Sequence, residues 1–256
     1  MAIKIGMVNL KGGVGKSTLS YELATILSNQ GKKVLVIDMD QQRNLSEYVN
    51  YDSSKPSIYN VLHADYSIEE SVQNLKYFDF ISASSDLSRA DREFVEQEDI
   101  FLLSDVMEMV NDTYDYIITD NSPSRNVLMT MVYIASDYVI IPTDCDKGSL
   151  DGINAVMNDI SKLKNGRIKY SNVQILGIIL NKFEKTVMHS LALERLEELS
   201  EEIEEKPFIA TVRKSIAASE SKDLMQPLQE YDRFGNISVD CRKFAGYVVE
   251  RCENGK

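Results

Sequence analysis

Between an apolar run, IKIGMV (residues 3–8), and a segment carrying Leu19, Leu23, Ile26 and Leu27 at helical spacing lies LKGGVGKST, residues 10–18. Strand, glycine loop and helix in that order is the setting in which a backbone wraps phosphate oxygens. Glycines let successive N–H groups close on an anion, and the helix N-terminus adds its partial positive charge. In this reading Lys16 reaches the β- and γ-phosphates of a nucleotide and the Ser17 hydroxyl ligates Mg²⁺. The ordinary spacing, G-x-x-x-x-G-K-[ST], needs a glycine at position 10, where Leu10 stands. Beside that gap lies a second lysine, Lys11, so the loop departs from the common pattern by one residue and adds a cation to it.

Two acidic motifs follow. In VLVIDMDQQRN (residues 34–44), Asp38 and Asp40 stand two apart at the carboxyl end of a predicted strand, so in extended chain both point to the same side. That edge is where open α/β sheets bind ligands. Two carboxylates facing a nucleotide repel it unless Mg²⁺ or a water to be activated lies between. An aspartate pair at a strand end also serves as a turn or a helix cap, and the glycine loop is what favours function here. In YDYIITDNSPS (residues 114–124) an apolar run ends at Asp120, placed to hold a water of the Mg²⁺ shell.

Elsewhere, short runs rich in Ile and Val alternate with longer amphipathic stretches, the pattern of an α/β protein with a mostly parallel, twisted sheet flanked by helices. Strands are predicted at residues 3–8, 33–39, 78–83, 115–120, 137–142 and 174–180, and helices over 17–30, 99–112, 150–164 and 189–205. Pro and Gly are scattered, with no linker or repeat, so residues 1–256 read as a single domain.

The net charge of −12 argues against a chain that coats nucleic acid by general electrostatics, although it leaves room for a local basic patch. Residues 193–206 hold seven Glu and read as a solvated helix face or as a docking site for a basic partner. Three cysteines, Cys145, Cys241 and Cys252, without a C-x-x-C pair indicate neither a disulfide framework nor a zinc ribbon. No leader and no long apolar stretch is recognised, so a cytoplasmic location is expected.

These motifs together resemble the ParA/MinD group of deviant Walker A ATPases, and within it most resemble ParA-type partition ATPases. KGGVGKST matches the group's K-G-G-x-G-K-[ST]-[ST] loop in full. VLVIDMDQQRN is similar to V-L-L-I-D-x-D-P-Q-G-N, with Gln41 and Arg43 in place of its Pro and Gly. DYIITDNSPS is similar to D-Y-I-[IV]-[IV]-D-x-P-P-S, with Ser122 at a usual Pro. DYVIIPT, SLDGI, GIILNKF and ASESKDLMQPLQEY follow in family order, so the resemblance covers nearly the whole chain.

The resemblance implies a P-loop fold and an ATPase using ATP and Mg²⁺. Lys11, Gly12, Gly13, Val14, Gly15, Lys16, Ser17 and Thr18 would cradle the phosphates, with Lys11 reaching the nucleotide of a second subunit in an ATP-sandwich homodimer. Asp40 would orient or deprotonate the attacking water, while Ser17, Asp38 and Asp120 would serve Mg²⁺. Asn181 matches the residue that reads the adenine edge, and Arg213 is expected near the adenine. The departures at Gln41 and Arg43 bear on the shape of the local turn.

The implied function is DNA partition. An ATP dimer would hold non-specific DNA in the nucleoid, with slow hydrolysis accelerated by a small, basic, ParB-like adaptor bound at a centromere-like site. Lys182, Lys185, Arg213, Lys214, Lys222, Arg242 and Lys243 are the basic residues expected to meet DNA. The loop begins at residue 11, so no helix-turn-helix reader is expected ahead of it and binding should ignore sequence. A MinD-like membrane-cycling regulator is the alternative. It needs an apolar, basic C-terminal helix, and FAGYVVERCENGK is a poor one, so no stable membrane anchor is expected. A metal-cluster relative would need bridging cysteines, and only Cys145 lies near mid-chain.

Overall fold

The computed structural model describes residues 1–146, 148–166 and 168–254; the last two residues of the C-terminal segment lie outside them. Among these residues eight strands form one sheet: β1 (Ile3–Met7), β2 (Val34–Met39), β3 (Gln73–Asn74), β4 (Asp79–Ile81), β5 (Tyr116–Asn121), β6 (Tyr138–Thr143), β7 (Gln174–Phe183) and β8 (Phe208–Arg213). Their order is β3-β4-β2-β5-β1-β6-β7-β8, parallel throughout except where β3 pairs antiparallel with β4. The central strands are apolar on both faces because helices cover both. Along β2, Leu35 and Ile37 face one core while Val34 and Val36 face the other.

The first core lies under α5 (Leu102–Met109), α6 (Val127–Ala135), α7 (Ser149–Asn165) and α8 (Val187–Glu202), with three short helices, α2 (Ile58–Leu62), α3 (Ile68–Ser71) and α4 (Ala90–Glu93), at its margin. Asn126 caps α6 by accepting from the Met129 N–H, and Thr186 caps α8 by accepting from the His189 N–H. The second core lies under α1 (Lys16–Asn29), α9 (Ala217–Asp223), α10 (Leu228–Tyr231) and α11 (Asn236–Asn254). In α11 a stripe of Ile237, Cys241, Phe244, Ala245, Val248 and Cys252 turns inward at helical spacing and packs on α1 and β8. The last helix therefore closes the face that the first one opens.

Strands β1, β2, β5 and β6 fall within one residue of the sequence reading, whereas 78–83 contracts to Asp79–Ile81 and 174–180 extends to Phe183. Strands β3 and β8, helices α6 and α11 and the short helices α2, α3, α4, α9 and α10 go beyond it. The edge strand β8 alternates buried and half-buried residues, so it lacks the continuous apolar run of its neighbours. It is seated by Gly177, where a Cβ would stand 2.4–2.7 Å from the ring of Phe208. Gly177→Ala should therefore cost about 1–3 kcal/mol by overpacking. In urea denaturation, Phe208→Leu in the same chain should recover part of that loss.

Candidate nucleotide-binding site

The carboxyl ends of β1, β2 and β5 lie side by side, with Met7 paired to Asp120 and Asp120 paired to Asp38. The glycine loop leaves β1 here and enters α1 at Lys16. Its shape depends on two glycines in the left-handed region, Gly13 at φ 73° and Gly15 at φ 95°. Gly15 is doubly constrained, because a Cβ there would stand 2.1 Å from the Asn181 Nδ2. Gly12 meets nothing closer than Pro123 Cγ at 3.8 Å, so its lack of a side chain leaves open space over the loop.

Side chains pin the loop from outside. Asn9 Oδ1 accepts from the Lys11 N–H at 2.9 Å, and its Nδ2 donates to the Pro142 carbonyl at 2.7 Å. From the end of β7, Asn181 Nδ2 donates to the Val14 carbonyl and Lys182 Nζ to the Gly13 carbonyl, each at 2.8 Å. In a trans peptide the next N–H points opposite to the carbonyl, so the Val14 and Gly15 amides are turned away from β7. Lys182 takes φ 54° where the β7–β8 register breaks, an unusual backbone for a side-chain-bearing residue beside a functional loop.

The two lysines are held differently. Lys16 is buried, its Nζ donating to the Asn9 and Lys11 carbonyls at 3.2 Å each. Burial lowers its pKa against the pull of Asp120 and Asp40. Lys11 instead points to the rim, where Nζ pairs with Asp144 Oδ1 at 2.5 Å and Asp146 Oδ2 at 3.2 Å in the loop after β6.

The carboxylates divide as well. Asp38 accepts from the Asp40 N–H through Oδ1 and from the Ser46 N–H and hydroxyl through Oδ2, at 2.7–3.0 Å, so both of its oxygens are engaged. Asp120 accepts from the Ser20 hydroxyl at 3.3 Å through Oδ1, while its Oδ2 is buried with no hydrogen-bond partner among the described residues. Burial pushes both carboxyls above the ordinary carboxylate range, and the neighbouring Asp38 adds to the rise at Asp120. Asp40 lines the cleft, accepting from the Gln42 N–H at 2.9 Å and the Asn44 Nδ2 at 3.0 Å. Its turn is closed by the Arg43 N–H on the Asp40 carbonyl at 2.7 Å, with Arg43 at φ 57°. The turn thus keeps the backbone of a glycine although an arginine occupies it.

A cleft of about 560 Å³ runs from this edge to a second wall formed by Val212, Ala218, Leu228, Ile237 and Cys241. Its size suits a nucleotide, the glycine loop and Lys16 suit the phosphates, and the orphaned Asp120 Oδ2 beside Ser17 suits a hard cation. Asn181 spends its amide N–H on Val14 and lines the cleft, where its Oδ1, an acceptor, suits a base amino group.

Sequence reasoning missed the roles of Asn9 and Lys182 and the wall from α9 to α11. It also treated as free several cations that are already engaged. Arg213 lines the cleft, but its guanidinium forms a two-pronged pair with Asp240 at 2.6 and 2.8 Å and donates to the Asn236 carbonyl. Lys214 pairs with Glu184, Lys222 lies 4.2 Å over the Tyr48 ring, and Arg242 donates to Gln229 and the Arg233 carbonyl. Of the seven basic residues singled out, Lys182, Lys185 and Lys243 are exposed and pair with no carboxylate among the described residues, with Lys182 held on the Gly13 carbonyl.

Glycine loop, strand-end acids and doubly wound sheet define a P-loop nucleotide-binding protein. A family model described as an AAA domain matches residues 2–175. The chromosome partitioning protein ParA of Myxococcus xanthus is 31% identical over 229 residues, 88% of this chain and 80% of that one. The sporulation initiation inhibitor protein Soj of Bacillus subtilis is 28% identical over 249 residues, 93% and 96% of the two chains. A putative plasmid partition protein of Borrelia burgdorferi bound to AMPPNP matches with a TM-score of 0.81 at 25% identity over 100% of both chains. An ATP complex of a Cyanothece McdA variant, at 19% identity, shares the fold with a TM-score of 0.86 over 98% and 96%. The chain belongs to the ParA-type partition ATPases of the ParA/MinD family.

The clustered acids carry a cost. A carboxyl whose pKa is raised on folding binds its proton more tightly in the native state, so stability falls as pH rises above the ordinary carboxylate value near 4. Asp120→Asn should therefore stabilise the ligand-free, metal-free protein by about 1–3 kcal/mol at pH 8, with a smaller gain at pH 4. Thermal denaturation in EDTA at the two pH values checks this.

Proposed function

We propose that this chain is an ATP-driven switch for DNA partition, acting as an ATP-sandwich homodimer of a single domain spanning residues 1–256. The observation that carries the reading is the division of labour between the two lysines. Lys16 is drawn into its own loop, while Lys11 stands at the rim on Asp144 and Asp146, where it can serve a nucleotide in a facing subunit. A second ammonium near the γ-phosphate offsets charge that builds up there in the transition state, and supplying it from a partner ties that offset to dimerisation. Dimerisation then exchanges the Lys11–Asp144 contact for phosphate.

Within one subunit the glycine loop and Lys16 bind the phosphates, and Asp40 orients the attacking water and accepts its proton. Mg²⁺, held by Ser17 and Asp120, would supply charge neutralisation between the phosphates. Asp38 supports this edge through Ser46 and the Asp40 amide. Asn181 Oδ1 would accept from the adenine amino group. DNA is the expected cargo because relatives along the chain's length are partition proteins, and a ParB-like adaptor is the expected stimulator. The membrane-cycling alternative gains no support from the C-terminal helix, whose Phe244, Ala245 and Val248 are buried in the core. No helix among the described residues is long and apolar enough to cross a membrane.

Lys16→Ala should abolish nucleotide binding, whereas Lys11→Ala should bind ATP within about tenfold of wild type yet fail to dimerise with it. Asp40→Ala should accumulate as an ATP-bound dimer with turnover reduced at least about 100-fold. Calorimetry and light scattering separate the three; equal loss of ATP binding in both lysine variants would remove the sandwich. For DNA, Lys185→Glu with Lys243→Glu should weaken ATP-dependent, salt-sensitive duplex binding without altering dimerisation. Unchanged retention on duplex DNA would place the DNA surface elsewhere.

A further inference from the structure

Glu22 is buried in α1, six positions beyond Lys16, and among the described residues no cation pairs with it. Its Oε1 accepts from the Leu228 N–H at 2.7 Å and its Oε2 from the Gln229 Nε2 at 3.2 Å. The same segment is tied onward. Gln229 Oε1 accepts from Arg242 Nη1 at 2.7 Å, and the Ser238 hydroxyl donates to the Leu228 carbonyl at 3.1 Å. One carboxylate on the phosphate-loop helix therefore clasps α10 and, through it, the start of α11. Leu228, which this network holds directly, and Ile237 and Cys241, next in sequence to its Ser238 and Arg242, line the cleft away from the glycine loop.

An apolar residue in this place would avoid the desolvation of a buried acid, which here has only neutral donors to offset it. Burial accordingly pushes the Glu22 carboxyl up to about 7, against the opposing pull of the Leu228 and Gln229 bonds. A group kept at that cost where α1 meets the segment carrying Leu228 is suited to fixing the position of that side of the cleft.

We propose that Glu22 is a positioning residue for the nucleoside: its clasp on Leu228 and Gln229 fixes the wall against which base and ribose lie, leaving the phosphate grip untouched. The inference rests on the reading of the cleft as an ATP site. It gives Glu22 an effect on nucleoside binding that a purely structural role in α1 would not have.

The test compares ATP with inorganic tripolyphosphate, which carries the phosphate chain without the nucleoside, by calorimetry with Mg²⁺ on the full chain. Glu22→Ala should weaken ATP by about tenfold, the effect of losing one well-placed buried hydrogen bond, while tripolyphosphate changes less than about twofold. The exchange Glu22→Gln with Gln229→Glu restores a donor–acceptor pair and should return ATP to within about threefold of wild type. Should Glu22→Ala fail to fold, the half-buried Gln229→Ala should shift ATP alone in the same direction by about threefold. Equal weakening of both ligands, or no weakening of ATP, overturns the proposal. Wild-type protein that binds no ATP overturns instead the nucleotide reading on which it stands.

Discussion

The site depends on the parallel register of β1, β5 and β2. Pairing Met7 with Asp120 and Asp120 with Asp38 sets the end of the glycine-loop strand beside two buried carboxylates. Once that register is fixed, Asp40 lies just beyond Asp38 and Lys16 enters the first turn of α1, so opposite charges converge without any loop having to find them. The arrangement is costly when empty. Asp120 keeps a buried oxygen with no hydrogen-bond partner among the described residues, and burial pushes up the pKa of both Asp120 and Asp38. Such a site holds back stability that ligand binding returns, the usual trade at a functional edge.

The second requirement is that distant parts of the chain meet there. The end of β7 takes hold of two loop carbonyls through Asn181 and Lys182, and Gly15 has no Cβ where the Asn181 amide must pass. The far wall comes from α9 to α11, brought back onto α1 by the apolar stripe of α11. The matched family region ends at residue 175, before β8 and that wall begin. The glycine loop and the strand-end acids thus belong to the matched region, while the residues that pin the loop from β7 and the far wall come from beyond it.

What the sequence disclosed followed from locality. The glycine loop, the acids at the ends of β2 and β5 and the apolar strands are each written in a few consecutive residues, and all appear where expected. The stripe of α11, at 237, 241, 244, 248 and 252, is equally local, but the same apolar spacing serves a helix packed on a core and one lying on a membrane, so the pattern alone does not say which surface it meets. Edge strand β8 hides for a physical reason, since half of its side chains are only partly buried. Pairings across the fold are a different matter. Nothing near Arg213 in sequence announces Asp240, nothing near Lys11 announces Asp144, and nothing near Glu22 announces Leu228. Those contacts decide which cations are available and which acids brace the cleft, and they exist only once the sheet has formed.

In the proposed sandwich Lys16 acts within its own subunit and Lys11 reaches across to the other. Mixing the Lys11→Ala and Lys16→Ala variants tests it most directly. In a mixed dimer, ATP held by the Lys11→Ala chain faces an intact Lys11 from the Lys16→Ala chain, so one complete site forms from two defective subunits. The account predicts that ATPase activity, negligible in either variant alone, reappears on mixing and peaks near equimolar ratio. Activity that stays at the sum of the separate variants would contradict it, because that is the outcome when both lysines must stand on the same chain.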